Sequence, residues 1–340
     1  MNVVIKRFTL LIMIVLGGLS LRSQDPMFTQ FYANPLWLNP ALAGVERCPR
    51  VISNYRNQWP QTVNGGVNYV TYAASYDQHI DALSGGLGFQ VMNDQSGNRV
   101  FNNYYVSAMY SYNLPVNRKF SMRFGLQGSY IQKNLDWSQL TFGDMIDPRY
   151  GFIFQTQETP GQDNAKMADF SAGWLGYSER FYGGIAVHHM TQPRENFLQG
   201  DETRLPRKYT IHAGWKIPLN KRFPKEGSIS PNFLYTRQGN DLALNPNANK
   251  IFLGLYANKG PIVGGVWMRS NTGSIEGFAT ESFIMLFGLQ TDYLRFGYSY
   301  DLTISRLTND TGGSHEISLA FLFDCRPKRA KFRYIDCPKF

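Results

Sequence analysis

The residues best suited to chemistry in this chain are five histidines and three cysteines. The histidines are His79, His188, His189, His212 and His315, and only His188 and His189 are neighbours. Adjacent residues of a strand point to opposite faces, so these two cannot both ligate one metal. A lone strand histidine working with a distant serine would suit a lipase, but no Gly-x-Ser-x-Gly turn is present to offer the nucleophile. Gly85-Gly86-Leu87-Gly88 and Gly125-Leu126-Gln127-Gly128 lack the following helix that a phosphate loop requires. Asp94-Gln95-Ser96-Gly97-Asn98 supplies one carboxylate, too few for a tight calcium site, and reads as a plain turn. Cys48, Cys325 and Cys337 without clustered histidines do not make a zinc site. The expectation is therefore a protein with no catalytic site, no metal and no cofactor.

The elements that carry these residues are strands. Residues 1–23 read as an export signal: Lys6 and Arg7 precede an apolar run from Phe8 to Leu16, then Gly17-Gly18, with Ser23 before the cut. That run is too short for a membrane helix, and no other stretch approaches about twenty apolar residues. Aromatic residues make up 15% of the chain and charged ones only 17%, against about 25% charged in an average soluble domain. High Tyr, Phe and Gly with low charge and no apolar helix fit an outer-membrane barrel. The net charge of +9 falls to +6 when Lys6, Arg7 and Arg22 are removed with the signal. Most of that excess sits in the tail 324–340, so the basic balance does not point to nucleic acid.

Fourteen candidate strands run near 50–59, 66–76, 85–93, 100–113, 119–132, 166–177, 180–189, 207–217, 228–237, 249–258, 262–270, 281–289, 292–303 and 314–323. Their period is two. Phe120, Met122, Phe124, Leu126 and Tyr130 share one face, and Ser121, Arg123, Gln127 and Ser129 share the other. Leu294, Phe296, Tyr298 and Tyr300 oppose Arg295, Ser299 and Asp301. Apolar residues facing lipid and polar ones facing a lumen invert the pattern of a soluble barrel. The glycines Gly125 and Gly297 fall on lumen positions, where they allow close packing. Short links such as 114–118 alternate with links that include the two longest, 133–165 and 191–206. Short periplasmic turns and long extracellular loops have this asymmetry. A secreted β-sandwich or propeller also has regular strands, but no blade-length repeat is present. The fold expected is all-β: a transmembrane antiparallel β-barrel over 50–323, with an N-terminal plug or rim segment over 24–49 and a basic periplasmic tail over 324–340.

Three segments outside the strands carry candidate binding residues. In 24–49, Phe28, Phe31, Tyr32 and Trp37 need burial, and Asn34-Pro35 and Asn39-Pro40 start turns. That content fits a plug folded back into the barrel or a cap on its periplasmic rim. In the longest loop, Trp137, Phe142, Tyr150, Phe152 and Phe154 must either fold inward or meet a partner. In the tail, Arg326, Lys328, Arg329, Lys331 and Arg333 alternate with Phe332 and Tyr334. A periplasmic protein, anionic lipid of the outer membrane, or a disordered end each fits that pattern. Cys48 precedes the first strand and Cys325 follows the last, which are neighbours in a closed barrel. A disulfide from Cys48 to Cys325 or Cys337 is open to the chain in an oxidising periplasm.

The run QDPxFxQFYxNPLxLNPAxAG from Gln24 to Gly44, followed by CPRxxxNYRNQWP from Cys48 to Pro60, resembles the PorP/SprF family of type IX secretion membrane proteins. Tyr298-Ser299-Tyr300-Asp301 and the terminal Cys-Pro-Lys-Phe are similar too. The resemblance implies an outer-membrane component of the type IX secretion or gliding machinery. It implies a partner among secreted adhesins, recognised through a C-terminal domain, and a periplasmic ring or lipoprotein partner. It supplies no catalytic motif. The alternative expectation is an outer-membrane solute channel, lined by Arg123, Gln127, Arg295 and Asp301.

Overall fold

The computed structural model describes residues 25–61, 69–147, 149–197, 203–220, 227–239, 249–274, 277–304 and 312–324. Fourteen antiparallel strands close into one barrel. They are β1 (Arg50–Gln58), β2 (Tyr69–Ile80), β3 (Gly85–Ser96), β4 (Phe101–Pro115), β5 (Ser121–Leu135), β6 (Asn164–Tyr177) and β7 (Phe181–His188). The second half is β8 (Lys208–Trp215, continued at Ile217–Pro218), β9 (Gly227–Gln238), β10 (Asn249–Lys259), β11 (Ile262–Ser274), β12 (Gly277–Gln290), β13 (Leu294–Thr303) and β14 (Ser314–Leu322). Each strand pairs with its neighbours in sequence, and β1 pairs with β14 from Arg50↔Leu322 to Gln58↔Ser314. Closure leaves no unpaired sheet edge, which is what a β-structure inside a bilayer requires.

Burial alternates along the strands as the period of two demands. On β5, Ser121, Arg123 and Gln127 are buried inside, while Phe124, Leu126 and Tyr130 are exposed outside. Leu126 keeps 66% of its surface open, the condition of a side chain that meets lipid. The alternation is the physical reason for the barrel: one face dissolves in hydrocarbon and the other must find polar partners. No helix among the described residues is long and apolar enough to cross a membrane.

The turns at one end are short, spanning 81–84, 116–120 and 260–261, while the other end holds the long links 136–163 and 189–207. By the asymmetry of such barrels, the long-loop end is extracellular. Both barrel termini, Arg50 and Leu322, lie at the short-turn end. The long loop 136–163 folds its own small hairpin, Ile146–Asp147 paired with Gly151–Phe152.

Candidate functional site: the lumenal segment and its seat

Residues 25–49 run down the inside of the barrel from the long-loop end to the short-turn end. Three single turns of helix give the segment its shape: Phe31–Ala33, Pro35–Leu38 and Pro40–Leu42. Pro35 and Pro40 each sit at the first helical position, where the missing N–H costs nothing. The Asn39 side chain caps the last turn by accepting from the Ala41 N–H at 2.9 Å. Asn34 makes no such cap; its Oδ1 instead accepts from Gln90 Nε2 of β3 at 2.7 Å.

Wall glycines make room for the segment. A Cβ on Gly125 would stand 2.2 Å from the Ala41 nitrogen, and one on Gly173 would stand 2.0 Å from Asn39 Oδ1. The lumenal glycines thus mark where two backbones touch. Leu36, Ala41 and Asn39 are fully buried there. On the far side, the Phe31 ring stacks edge-on to Trp267 at 4.8 Å and to Phe252 at 5.7 Å. Tyr32 meets Tyr182 at 5.6 Å.

Charged groups hold the segment at three levels. At the extracellular end, the Asp25 N–H donates to Gln238 Oε1 at 2.9 Å. Asp25 Oδ2 lies 2.8 Å from His189 Nε2 and 3.5 Å from Lys208 Nζ. The other ring nitrogen of His189 faces Asp169 at 2.9 Å. Burial opposes charge on this imidazole, but the carboxylates of Asp25 and Asp169 on either side raise its pKa to about 9. Burial likewise pushes the Asp25 carboxyl up, and His189 and Lys208 hold it well below the ordinary carboxylate range.

In the middle, Glu316 of β14 is fully buried and accepts from two donors of the segment, the N–H groups of Thr29 at 2.6 Å and Gln30 at 3.0 Å. Arg56 of β1 bridges Glu316 at 3.1 Å and Asp301 of β13 at 3.1 Å, and also donates to the Thr29 hydroxyl. The Thr29 hydroxyl in turn donates to Asp301 at 2.8 Å. The chain of ions continues round the wall, from Asp301 to Arg269 at 3.0 Å and from Arg269 to Glu281 at 3.2 Å. With Asp25, His189, Asp169 and Lys208 opposite, charges of both signs girdle the segment. At the short-turn end, Arg123 donates to the carbonyls of Ala43 at 2.6 Å and Gly44 at 3.2 Å. Asp77 accepts from the Gly44 N–H at 2.8 Å while paired with Arg50 at 2.8 Å. Glu46 and Arg295 pair at 2.9 Å. A cavity of about 90 Å³ remains between Gln30, Tyr32 and the wall of β10–β14, and a recess of about 800 Å³ opens at the short-turn end beside Arg180, Lys216 and Arg295.

The residues picked from sequence fall into separate places. Phe28, Phe31, Asn34, Pro35, Asn39 and Pro40 are buried in the lumen, with Tyr32 and Trp37 half-buried. Trp137 and Phe142 are half-buried in the long loop, whereas Tyr150, Phe152 and Phe154 are 75%, 61% and 51% exposed. Cys48 is disulfide-bonded. Cys325, Cys337 and the tail residues Arg326, Lys328, Arg329, Lys331, Phe332, Arg333 and Tyr334 lie outside the described residues. One expectation is corrected: His188 and His189 do not point apart. His189 ends the strand with φ of 56°, so both rings turn inward and are buried. Even so, no group of metal ligands forms among the described residues. Sequence reasoning missed Arg56, Glu316, Asp25 and His189 as the seat. For Arg56 and Glu316 the signal was an ionisable residue on the inward face of a membrane strand, which demands a partner; Asp25 and His189 lie off the strands and carried no such signal.

A family model described as type IX secretion system membrane protein PorP/SprF matches residues 20–321. The chain belongs to the PorP/SprF family. The protein is thus an outer-membrane β-barrel of the type IX secretion machinery, from a family of secretion-system membrane proteins rather than of enzymes. The match includes the whole lumenal segment, with both of its Asn-Pro turns, as well as the strands. No curated protein matches the chain. Among solved structures, the toluene transporter TbuX of Ralstonia pickettii is 11% identical with a TM-score of 0.49, over 85% of this chain and 93% of that one. The outer membrane protein Omp33 of Acinetobacter baumannii is 9% identical with a TM-score of 0.43, over 82% of this chain and 100% of that one. The CymD monoaromatic hydrocarbon channel is 12% identical with a TM-score of 0.49, over 86% and 93%.

Proposed function

We propose that this barrel is a plugged, non-enzymatic holder in type IX secretion. In this reading it retains a secreted adhesin, through that protein's C-terminal domain, at its extracellular loops, and meets the periplasmic ring or lipoprotein components at its short-turn end. The carrying observation is the seat of residues 25–49. A lumen occupied along its length, with the occupant's backbone N–H groups hydrogen-bonded to wall carboxylates and its Asp25 side chain ion-paired to the wall, is built to stay closed. What remains for a partner is the two ends. At the outer end, Tyr150, Phe152 and Phe154 stand open on a loop that already has its own hairpin. Exposed aromatics of this kind are costly unless a partner covers them. The basic tail is the matching candidate surface on the periplasmic side. The alternative, a solute channel, needs the segment to leave or shift. The test is retention of the surface adhesins in cells lacking the protein, complemented with the Y150A/F152A/F154A variant. The reading expects loss of at least one adhesin from the surface in both, and it is wrong if every adhesin stays in place without the protein.

A further inference from the structure

We propose that the outer wall of β3–β6 binds the saccharide portion of an outer-leaflet glycolipid, in a cleft beneath the long loop. Tyr104 and Tyr130 face lipid near the extracellular ends of β4 and β5. Such tyrosines mark the boundary between hydrocarbon and headgroups. Immediately above them the outward positions change from apolar to amide. Asn102, Asn134 and Asn164 sit opposite one another across three strands. Asn93 Nδ2 donates across to Asn102 Oδ1 at 2.6 Å, and along β5 Gln132 Nε2 donates to Asn134 Oδ1 at 3.0 Å. Asn102 Nδ2 and the Tyr130 hydroxyl tie this ladder to the tyrosines, at 2.9 Å to Tyr104 and 3.3 Å to Gln132. The Asn134 and Asn164 amide groups have donors with no protein acceptor among the described residues.

The loop roofs this ladder and leaves a cleft of about 780 Å³, within the size range of small-molecule sites. Trp137 lines one wall, fixed by its Nε1–H to the Gln162 carbonyl at 3.2 Å and packed against Gly161. Arg99, Asp163, Asn134 and Asn164 line the rest with Leu140 and Phe142. An indole wall beside amides and charges of both signs suits a ring with C–H faces and hydroxyl edges. Asp136 also lines the cleft, so Arg99 meets two carboxylates, and that net negative lining fits a neutral sugar better than a bare phosphate. The source follows from the position. Asn102, Asn134 and Asn164 line the cleft from the outward face of the strands, next in line on β4 and β5 to the exposed Tyr104, Val106 and Tyr130 that acyl chains would cover. A sugar carried on lipid reaches it from the membrane plane.

The experiment is native mass spectrometry of the full-length barrel, purified in mild detergent from its own outer membrane, followed by titration with lipopolysaccharide from that membrane. The wild type is expected to retain glycolipid at one per barrel. The Asn102→Leu/Asn134→Leu variant and, outside the strands, Trp137→Ala should each bind at least tenfold more weakly. Phe283→Ala on the opposite wall should bind like the wild type. Heat-modifiable gel migration confirms that each variant is a folded barrel. Undiminished binding by both Asn102→Leu/Asn134→Leu and Trp137→Ala overturns the site. Deacylated oligosaccharide binding as tightly as the intact glycolipid overturns the lipid source in favour of a free or protein-borne glycan.

Discussion

Glu316 is where the seat of the lumenal segment is most exposed to test. Its carboxylate is fully buried and takes the N–H groups of Thr29 and Gln30 at 2.6 and 3.0 Å. Glu316→Ala removes both acceptors at once. A buried donor left unpaired costs about 1–3 kcal/mol, so the two together cost about 2–6 kcal/mol. Arg56 loses one carboxylate but keeps Asp301 at 3.1 Å, so it is not left as an orphaned charge. Water entering the gap recovers part of the cost, and about 3 kcal/mol is a fair net figure. At 1.4 kcal/mol per factor of ten, the released state of the segment gains roughly a hundredfold. Glu316→Gln should fall between, because its amide oxygen still accepts one N–H while its nitrogen cannot accept the other. The assay pairs limited proteolysis of residues 25–49 with planar-bilayer conductance, on protein shown to be a folded barrel by heat-modifiable migration. The order expected in both readouts is wild type, Glu316→Gln, then Glu316→Ala as the most open. Cleavage and conductance unchanged in Glu316→Ala would refute the claim that this carboxylate holds the segment.

The His189 latch should depend on pH. Its folded pKa of about 9 lies above the ordinary 6.5, so its stabilisation is complete below about pH 6.5 and is lost as pH rises through 9. Proteolysis of the segment's outer end should therefore quicken between those values, and His189→Gln should flatten the profile. Gly125→Ala places a Cβ 2.2 Å from the Ala41 nitrogen and should loosen the segment, whereas outward Gly128→Ala, 3.8 Å from Phe170, should not; cleavage rates of the two variants compare directly. Replacing Tyr150, Phe152 and Phe154 together by Ala should leave the barrel's thermal stability within about 0.5 kcal/mol, since all three are exposed, while cutting recovery of a bound extracellular partner at least tenfold.

The barrel was legible because each strand must satisfy two solvents at once. Every expected strand has its counterpart, and the errors are at ends. The strand expected at 66–76 runs on to Ile80, because the chain turns only where Ser84 takes a left-handed φ of 49°. Period alone does not see that point. The aromatics and Asn-Pro turns of 25–49 announced a need for burial, but not which wall groups would meet them. Glu316 pairs with Thr29 across 287 positions of sequence, and no local pattern encodes such a contact. His189 was misjudged for a similar reason: strand alternation was extended one residue too far, past the turn that sends its ring inward. The lumenal glycines gave the clearest long-range hint. Small residues on a face otherwise lined by polar side chains mean that something else fills the space.

The most direct test of the account is gentle detergent purification of the tagged protein from its own outer membrane, with mass spectrometry of what stays bound. A secreted surface protein or its C-terminal domain, with or without periplasmic components, is expected on a barrel that does not conduct in a planar bilayer. A partner-free barrel that conducts would contradict it.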